Sequence, residues 1–266
     1  MALPDEVRAF AETPDRYTEI PPDGLVTRHD DGRICIVQGP TFATVSAPHV
    51  ADGEVEALLA EARRLAPVAK YPNWFIGPSA RPATIAHELE ELGLVSPWDG
   101  VDLVHALAIG SEPAGAAPGI EARRVDTFED FVASSELRFE IFDLPTEQRE
   151  LQRTHYESSW TEAQRIGIPV WFLATFEGRI AGSAGVIPSP RGVFLIGGST
   201  AQWARGHGVY RALVRARWDY AVARGTPALV THAKPDSSYP ILLRLGFEEV
   251  CTIQRLEDRG GMSDHP

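Results

Sequence analysis

Apolar positions along the chain recur with two periods, and the changes of period mark its elements. In TFEDFVASSELRFEIF, Phe128, Phe131, Val132, Phe139 and Phe142 fall at near-helical spacing, which predicts a helix. A second, more polar helix is expected from Pro145 through PTEQRELQRTHYESSWTEAQRIG, because proline suits a first helical position. VWFLATF and IAGSAGVI flank the turn EGR and read as a hairpin, and VFLIGGST follows as a strand ending in small residues. VYRALVRARWDYAVARG sets Val209, Leu213, Ala216 and Tyr220 on one face and stops at Gly225, the pattern of a helix with a glycine stop. PALVTHA then reads as a short buried strand, SSYPILLRLGF as a short helix and EEVCTIQRL as a last strand.

The first half of the chain repeats this order in abbreviated form. LVTRHDDGRICIVQG mirrors WFLATFEGRIAGSAG, and TFATVSAP takes the place of the later strand. EVEALLAEARRLA carries Val55, Leu58, Leu59, Ala62 and Leu65 on one helical face; NWFIG, ATIAHELEELGLV and VDLVHALAI complete the unit. Between the halves lies AIGSEPAGAAPG, Ala108 to Gly119, rich in proline and small residues and without periodicity. Internal duplication follows, with units at 1–107 and 120–258, a linker at 108–119 and a tail at 259–266.

Composition narrows the classes. The chain has 266 residues, 44% hydrophobic and 23% charged, with a formal net charge of -12, which disfavours a nucleic-acid surface and suits a cationic or neutral partner. Cys35 and Cys251 lie far apart in strand-like stretches, so unpaired thiols of an intracellular protein are expected rather than a disulfide framework. There is no CxxC or His/Cys cluster, so no metal is expected. MALPDEVRAFAETPDRY has no apolar leader core, and no stretch approaches the roughly 18 apolar residues of a membrane span. A cytoplasmic location with no membrane partner is the expectation.

The segment ARGHGVYRAL places Arg205, Gly206, His207 and Gly208 at the entrance of a helix that follows a strand. The first amides of a helix lack intrahelical acceptors, and its dipole is positive at that end. Two glycines allow a tight bend and close approach of a ligand to bare backbone. Such a loop is either a turn shaped by glycine or an anion site. A Rossmann site is excluded, because G-x-G-x-x-G and its βαβ context are missing.

The order hairpin, strand, R-G-x-G, helix, strand, short helix ending RLGF, strand resembles the GNAT superfamily of acyl-CoA-dependent N-acyltransferases. The resemblance covers roughly Gly119 to Leu256 and is anchored on RGHGVYRAL and LLRLGFEEV. It implies an α/β (α+β) tandem fold with mixed, mostly antiparallel sheet flanked by helices, the first unit a degenerate one. It further implies acetyl-CoA as co-substrate, its pyrophosphate held by Arg205, Gly206, His207, Gly208 and Val209. Tyr210 stands where the family prefers Gly or Ala; either its side chain points away and the amide still serves, or the pocket is altered. The strand before the loop splays from its neighbour in this family, so Gly198, Ser199 and Thr200 would hold the acyl carbonyl and pantetheine.

The family's frequent general-acid tyrosine maps onto Leu242, which leaves Tyr239, one turn earlier, and Ser238 or Ser237 as candidates. Glu140, Glu157, His155, Tyr156, His232 and Asp236 are open choices for a base. The function implied is acyl transfer, acetyl in the first instance, to a small-molecule amine by direct attack in a ternary complex; the acidic balance favours a cationic acceptor. The alternative is a non-catalytic acyl-CoA-binding sensor or scaffold. A transferase using aminoacyl-tRNA is disfavoured by the lack of a Lys/Arg patch. Monomer and homodimer are both compatible with the chain.

Overall fold

The computed structural model describes residues 2–67, 71–113 and 119–260. Two short helices precede the expected elements: α1 (Asp5–Glu12) and α2 (Pro14–Tyr17). The first half continues with β1 (Thr27–Asp30), β2 (Cys35–Gln38), β3 (Ala43–Ser46), α3 (Val55–Leu65), β4 (Asn73–Ile76), α4 (Ile85–Glu91) and β5 (Leu103–Ile109). The second half runs β6 (Ile120–Arg124), α5 (Phe128–Ile141), α6 (Thr146–Thr154), α7 (Tyr156–Ile166), β7 (Val170–Phe176), β8 (Arg179–Ser189) and β9 (Gly192–Thr200). A 3-10 turn at Gln202–Ala204, then α8 (Val209–Ala223), β10 (Leu229–Ala233), α9 (Ser238–Arg244) and β11 (Glu248–Glu257) complete it.

The periodic segments fold as their patterns require. Val55, Leu58, Leu59 and Ala62 of α3 are buried with Trp74, Ile85 and Leu89 in one core. Val209 and Leu213 of α8 join Leu229 and Leu242 in another. The long polar helix expected after Pro145 is two helices, because the chain leaves helical geometry at His155. The break turns Tyr156 and Trp160 onto Phe131 of α5, with ring centroids 5.9 and 5.6 Å away. α6, which buries none of its residues, lies outside that aromatic cluster. The expected linker starts late: Ala108 and Ile109 complete β5, since both are buried and paired. Residues 114–118 of that linker and 261–266 of the expected tail lie outside the described residues.

All the strands join one sheet in the order β1-β2-β3-β4-β11-β5-β10-β9-β8-β7-β6. The order holds an exchange. β11, last in sequence, pairs antiparallel with β4 through Gln254↔Ile76 to Glu257↔Asn73. β5, from the first half, pairs antiparallel with β10 through Leu229↔Ile109 to Ala233↔His105. Each half thus contributes its final strand to the neighbourhood of the other, and β5 and β11 pair with each other. α1 covers this junction, where fully buried Phe10 packs with Ala106, Val230 and Ile253. Burying a phenylalanine is worth about 2–3 kcal/mol, so α1 is part of the joint rather than a loose leader.

Candidate cofactor cradle and acceptor cavity

β9 and β10 run parallel over just two pairs, Leu229↔Val193 and Val230↔Phe194. Thr231 Oγ1 then donates to Leu195 O at 3.2 Å, and beyond that link β9 has no β10 partner. The two strands part there, leaving Ile196 to Thr200 as one lip of a cleft. Within this lip β9 bulges: Gly185 faces Ile196 and Ser183 faces Ser199, so Ala184 alone opposes Gly197 and Gly198. Gly197 has φ +58°, and a Cβ there would stand 3.1 Å from Trp171. Backbone conformation and tight space both favour glycine at the bulge. Ser199 Oγ donates to Ser183 O at 3.2 Å, whereas Thr200 Oγ1 is buried without a hydrogen-bond partner.

At the end of β9 the chain enters α8 through the glycine loop. Gly206 and Gly208 have φ of +83° and +94°, the left-handed region that side chains disfavour. Gly208 is the N-cap of the 15-residue α8, and Ala212 N is the first amide to bond back, to Gly208 O at 3.0 Å. Among the described residues, the amides of Gly206, His207, Gly208, Val209, Tyr210 and Arg211 have no acceptor. No acidic residue occupies the first turn of α8, and Arg205 and His207 are exposed beside it. His207 stacks on Phe176 at 4.7 Å. Amide donors, helix dipole and flanking donors fit a polyanion such as the pyrophosphate of coenzyme A.

Tyr210 folds back toward the sheet. A Cβ placed on Gly198 would lie 2.9 Å from its ring, and the buried Arg217 guanidinium lies 5.9 Å from the ring centroid. The side chain therefore leaves the amide end of α8 and covers Gly198.

The acid candidates are bonded elsewhere. Tyr239 donates to Glu249 at 2.6 Å, which raises its pKa, and its ring stacks on His105 of β5 at 4.0 Å. β5 lies on the side of β10 away from β9, so Tyr239 turns from the splay instead of into it. Ser238 Oγ accepts from Lys234 N at 3.0 Å and serves the turn into α9. Leu242 is core. In this structure the hydroxyls of Tyr239 and Ser238 are engaged in these bonds.

Among the base candidates, His232 is wedged between Phe75 and Phe194, both 5.6 Å away, with Nε2 3.0 Å from Ala11 O. Burial pushes its pKa down to about 4, so the ring is neutral near pH 7. Tyr156 donates to Glu136, and Glu140 and Glu157 are exposed.

On the other face of β9 a cavity of about 420 Å³ opens between the two halves. Phe131, Phe139, Trp171 and Ile196 give it an apolar lining, and residues 15–44 of the first half close it. Sequence reasoning passed over its most unusual group, Arg138 of α5. Arg138 Nη1 donates to Ser183 Oγ at 2.9 Å and Ser134 Oγ at 3.4 Å, and Nη2 donates to Ser135 Oγ at 2.8 Å. Its guanidinium lies 3.8 Å from the Trp171 ring. Burial holds its pKa down to about 10.

No family model and no curated protein matches the chain. Solved structures do match, across almost its whole length. A GCN5-related N-acetyltransferase from Kribbella flavida superposes with TM-score 0.65 at 16% identity, covering 98% of each chain. A tandem GNAT protein from the clavulanic acid biosynthesis pathway gives TM-score 0.57 at 19% identity, over 99% of this chain and 90% of that one. The chain has the tandem GNAT fold. A GCN5-related N-acetyltransferase from Sphaerobacter thermophilus agrees, with TM-score 0.54 at 18% identity over 86% of this chain and 82% of that one. Within the GNAT frame the splay of β9 from β10 and the glycine loop lie together in the second unit.

Proposed function

We propose that the protein transfers an acyl group, acetyl in the first instance, from acyl-CoA to the amine of a small molecule bound in the cavity against β9. The observation that carries this reading is the run of six acceptorless amides, Gly206 to Arg211, at the end of a splayed strand. Unsatisfied donors on this scale call for a ligand or solvent, and a diphosphate satisfies several at once. Coenzyme A supplies the activated thioester. The chain's own residues take the phosphates on the loop amides and present the free lip of β9, from Ile196 to Thr200, to the acyl and pantetheine portions. The amine forms its bond to the acyl carbon as the carbon–sulfur bond breaks, and the amine proton and the thiolate leave as free CoA thiol. Among the described residues no helix is long and apolar enough to cross a membrane, and the free thiols Cys35 and Cys251 suit a reducing cytoplasm.

The test is calorimetric titration of acetyl-CoA into wild type and Gly208→Trp. One-site binding that disappears in the variant supports the cradle; no binding to wild type at millimolar ligand removes the cofactor from the reading. A second reading, an acyl-CoA sensor without turnover, draws on two observations: Tyr210 covers Gly198, and Tyr239 is bonded away from the cleft. Release of CoA thiol with any amine separates the two, because a sensor binds and releases none.

A further inference from the structure

A guanidinium removed from water without a carboxylate costs several kcal/mol unless something compensates it. Arg138, partly buried and with no carboxylate paired to it, approaches that case. Among the described residues it forms no ion pair, although the chain has 37 acidic residues against 25 basic ones. Three serine hydroxyls and the Trp171 face fix its orientation, which is more than a solvent-facing arginine needs. Guanidinium carries five N–H donors, and the serine contacts use three of them. Nε makes no hydrogen bond among the described residues, and Arg138 lines the cavity. A charged, pre-oriented donor thus faces a largely apolar space.

The acids that share the cavity wall are engaged elsewhere. Asp15 accepts from Thr44 at 2.8 Å, Glu19 pairs with Arg224 at 2.7 Å, and Glu162 pairs with Arg165 at 2.9 Å. None of them neutralises Arg138.

We propose that Arg138 holds a carboxylate of the acceptor, and that the acceptor is an apolar α-amino acid or a close homologue. The inference rests on the acyl-transfer reading for the position of the amine. Arg138 flanks the bulge of β9: its Cδ would stand 3.4 Å from a Cβ on Gly197. A carboxylate at that guanidinium and an amine at the same bulge must be a few bonds apart, which selects an α- or β-amino acid over a long ω-amino acid. The remainder of the ligand lies against Phe131, Phe139, Trp171 and Ile196. Planar two-point pairing of guanidinium with carboxylate would supply the orientation. This replaces the expectation of a cationic acceptor: net charge describes the surface, whereas selection happens at the charge facing the cavity.

The experiment uses matched probes on the full chain: 3-phenylpropionate against 3-phenylpropionamide, and L-phenylalanine against L-phenylalaninamide. Binding is read by calorimetry with and without saturating acetyl-CoA, and CoA-thiol release is followed for the two amines. Wild type is expected to prefer each acid over its amide by at least tenfold. Arg138→Met should erase that ratio while still binding the amides, and Arg138→Lys should restore part of it. Equal or weaker binding of the acids, no binding of either acid, or an unchanged ratio in Arg138→Met overturns the proposal. Should Arg138→Met fail to fold, the wild-type ratio and Arg138→Lys decide. The two readings fail separately: acid preference without acetyl-CoA binding sinks acyl transfer and keeps the anion pocket. Acetyl-CoA binding without acid preference does the reverse.

Discussion

The loop leading into α3 and the loop leading into α8 occupy equivalent places in the two GNAT units, but the first carries Asp52, Glu54 and Glu56 at its helix entrance, where the second carries no acidic residue. In the first unit, His49 N bonds Arg33 O at 2.7 Å, Val50 N bonds Arg81 O at 3.1 Å, and Ala51 N bonds the Glu54 carboxylate at 3.1 Å. β3 and β4 stay together over three parallel pairs, and a further bridge, His49↔Arg81, holds the segments beyond them. In the second unit, β9 and β10 share two pairs and then part, and six amides in a row lack acceptors. An anion cradle is therefore disfavoured without deleting a helix or strand: carboxylates at the helix entrance and strands that stay paired are enough.

The strongest way to break the comparison is to separate what is compared. Residues 119–260 expressed alone lack β5, the strand between β10 and β11, and should show no cooperative melt by circular dichroism. Adding residues 2–113 should restore the transition; a cooperative melt of the fragment by itself would contradict the exchanged-strand account.

A finer contrast uses two matched glycines. Gly53 and Gly206 both have φ +83° with open space for 4 Å around the position a Cβ would take, so aspartate strains the backbone alike at either site. Gly206→Asp should weaken acetyl-CoA binding about 100-fold, about 2.8 kcal/mol, by setting a carboxylate among the phosphate donors. Gly53→Asp should leave it unchanged in the same calorimetric titration. Equal losses in both would mean that the effect is stability and not the cradle.

The joint between the units carries a pH signature. His232 of β10 reaches Ala11 O in α1, and burial lowers its pKa from 6.5 to about 4. Between those values the unfolded chain binds a proton that the folded chain refuses. Its contribution is therefore complete above pH 6.5 and declines as pH falls toward 4, by about 3 kcal/mol. Urea unfolding across that window should show a shallower decline in His232→Gln than in wild type.

Much of this architecture was legible in the sequence because period and punctuation are local. The hairpin echoes, the apolar face of α3 and the glycine stop after α8 each depend on a few neighbouring residues. The loop was legible for the same reason, since Gly206 and Gly208 mark a backbone that bends in a way other residues resist. α1 escaped notice because a two-turn helix shows too little periodicity; what it covers, the β5–β10–β11 junction, is assembled from distant segments. The direction of Tyr239 was not legible, because proximity in sequence to the glycine after α9 gives none, and Glu249 and His105 supply it.

Arg138 shows the division most clearly. The sequence by itself determined a helix carrying Ser134, Ser135 and Arg138, two duplicated units and one glycine-marked helix entrance. Only the tertiary structure brought Ser183 and Trp171 from other strands against that arginine, kept carboxylates away from it and set it beside the bulge of β9. It also decided that the units exchange their last strands. The physical reason is one of range: helical period, caps and left-handed turns are set by residues a few positions apart. The burial of a charge, the pairing of a strand and whether an amide finds an acceptor depend on what the rest of the chain places nearby.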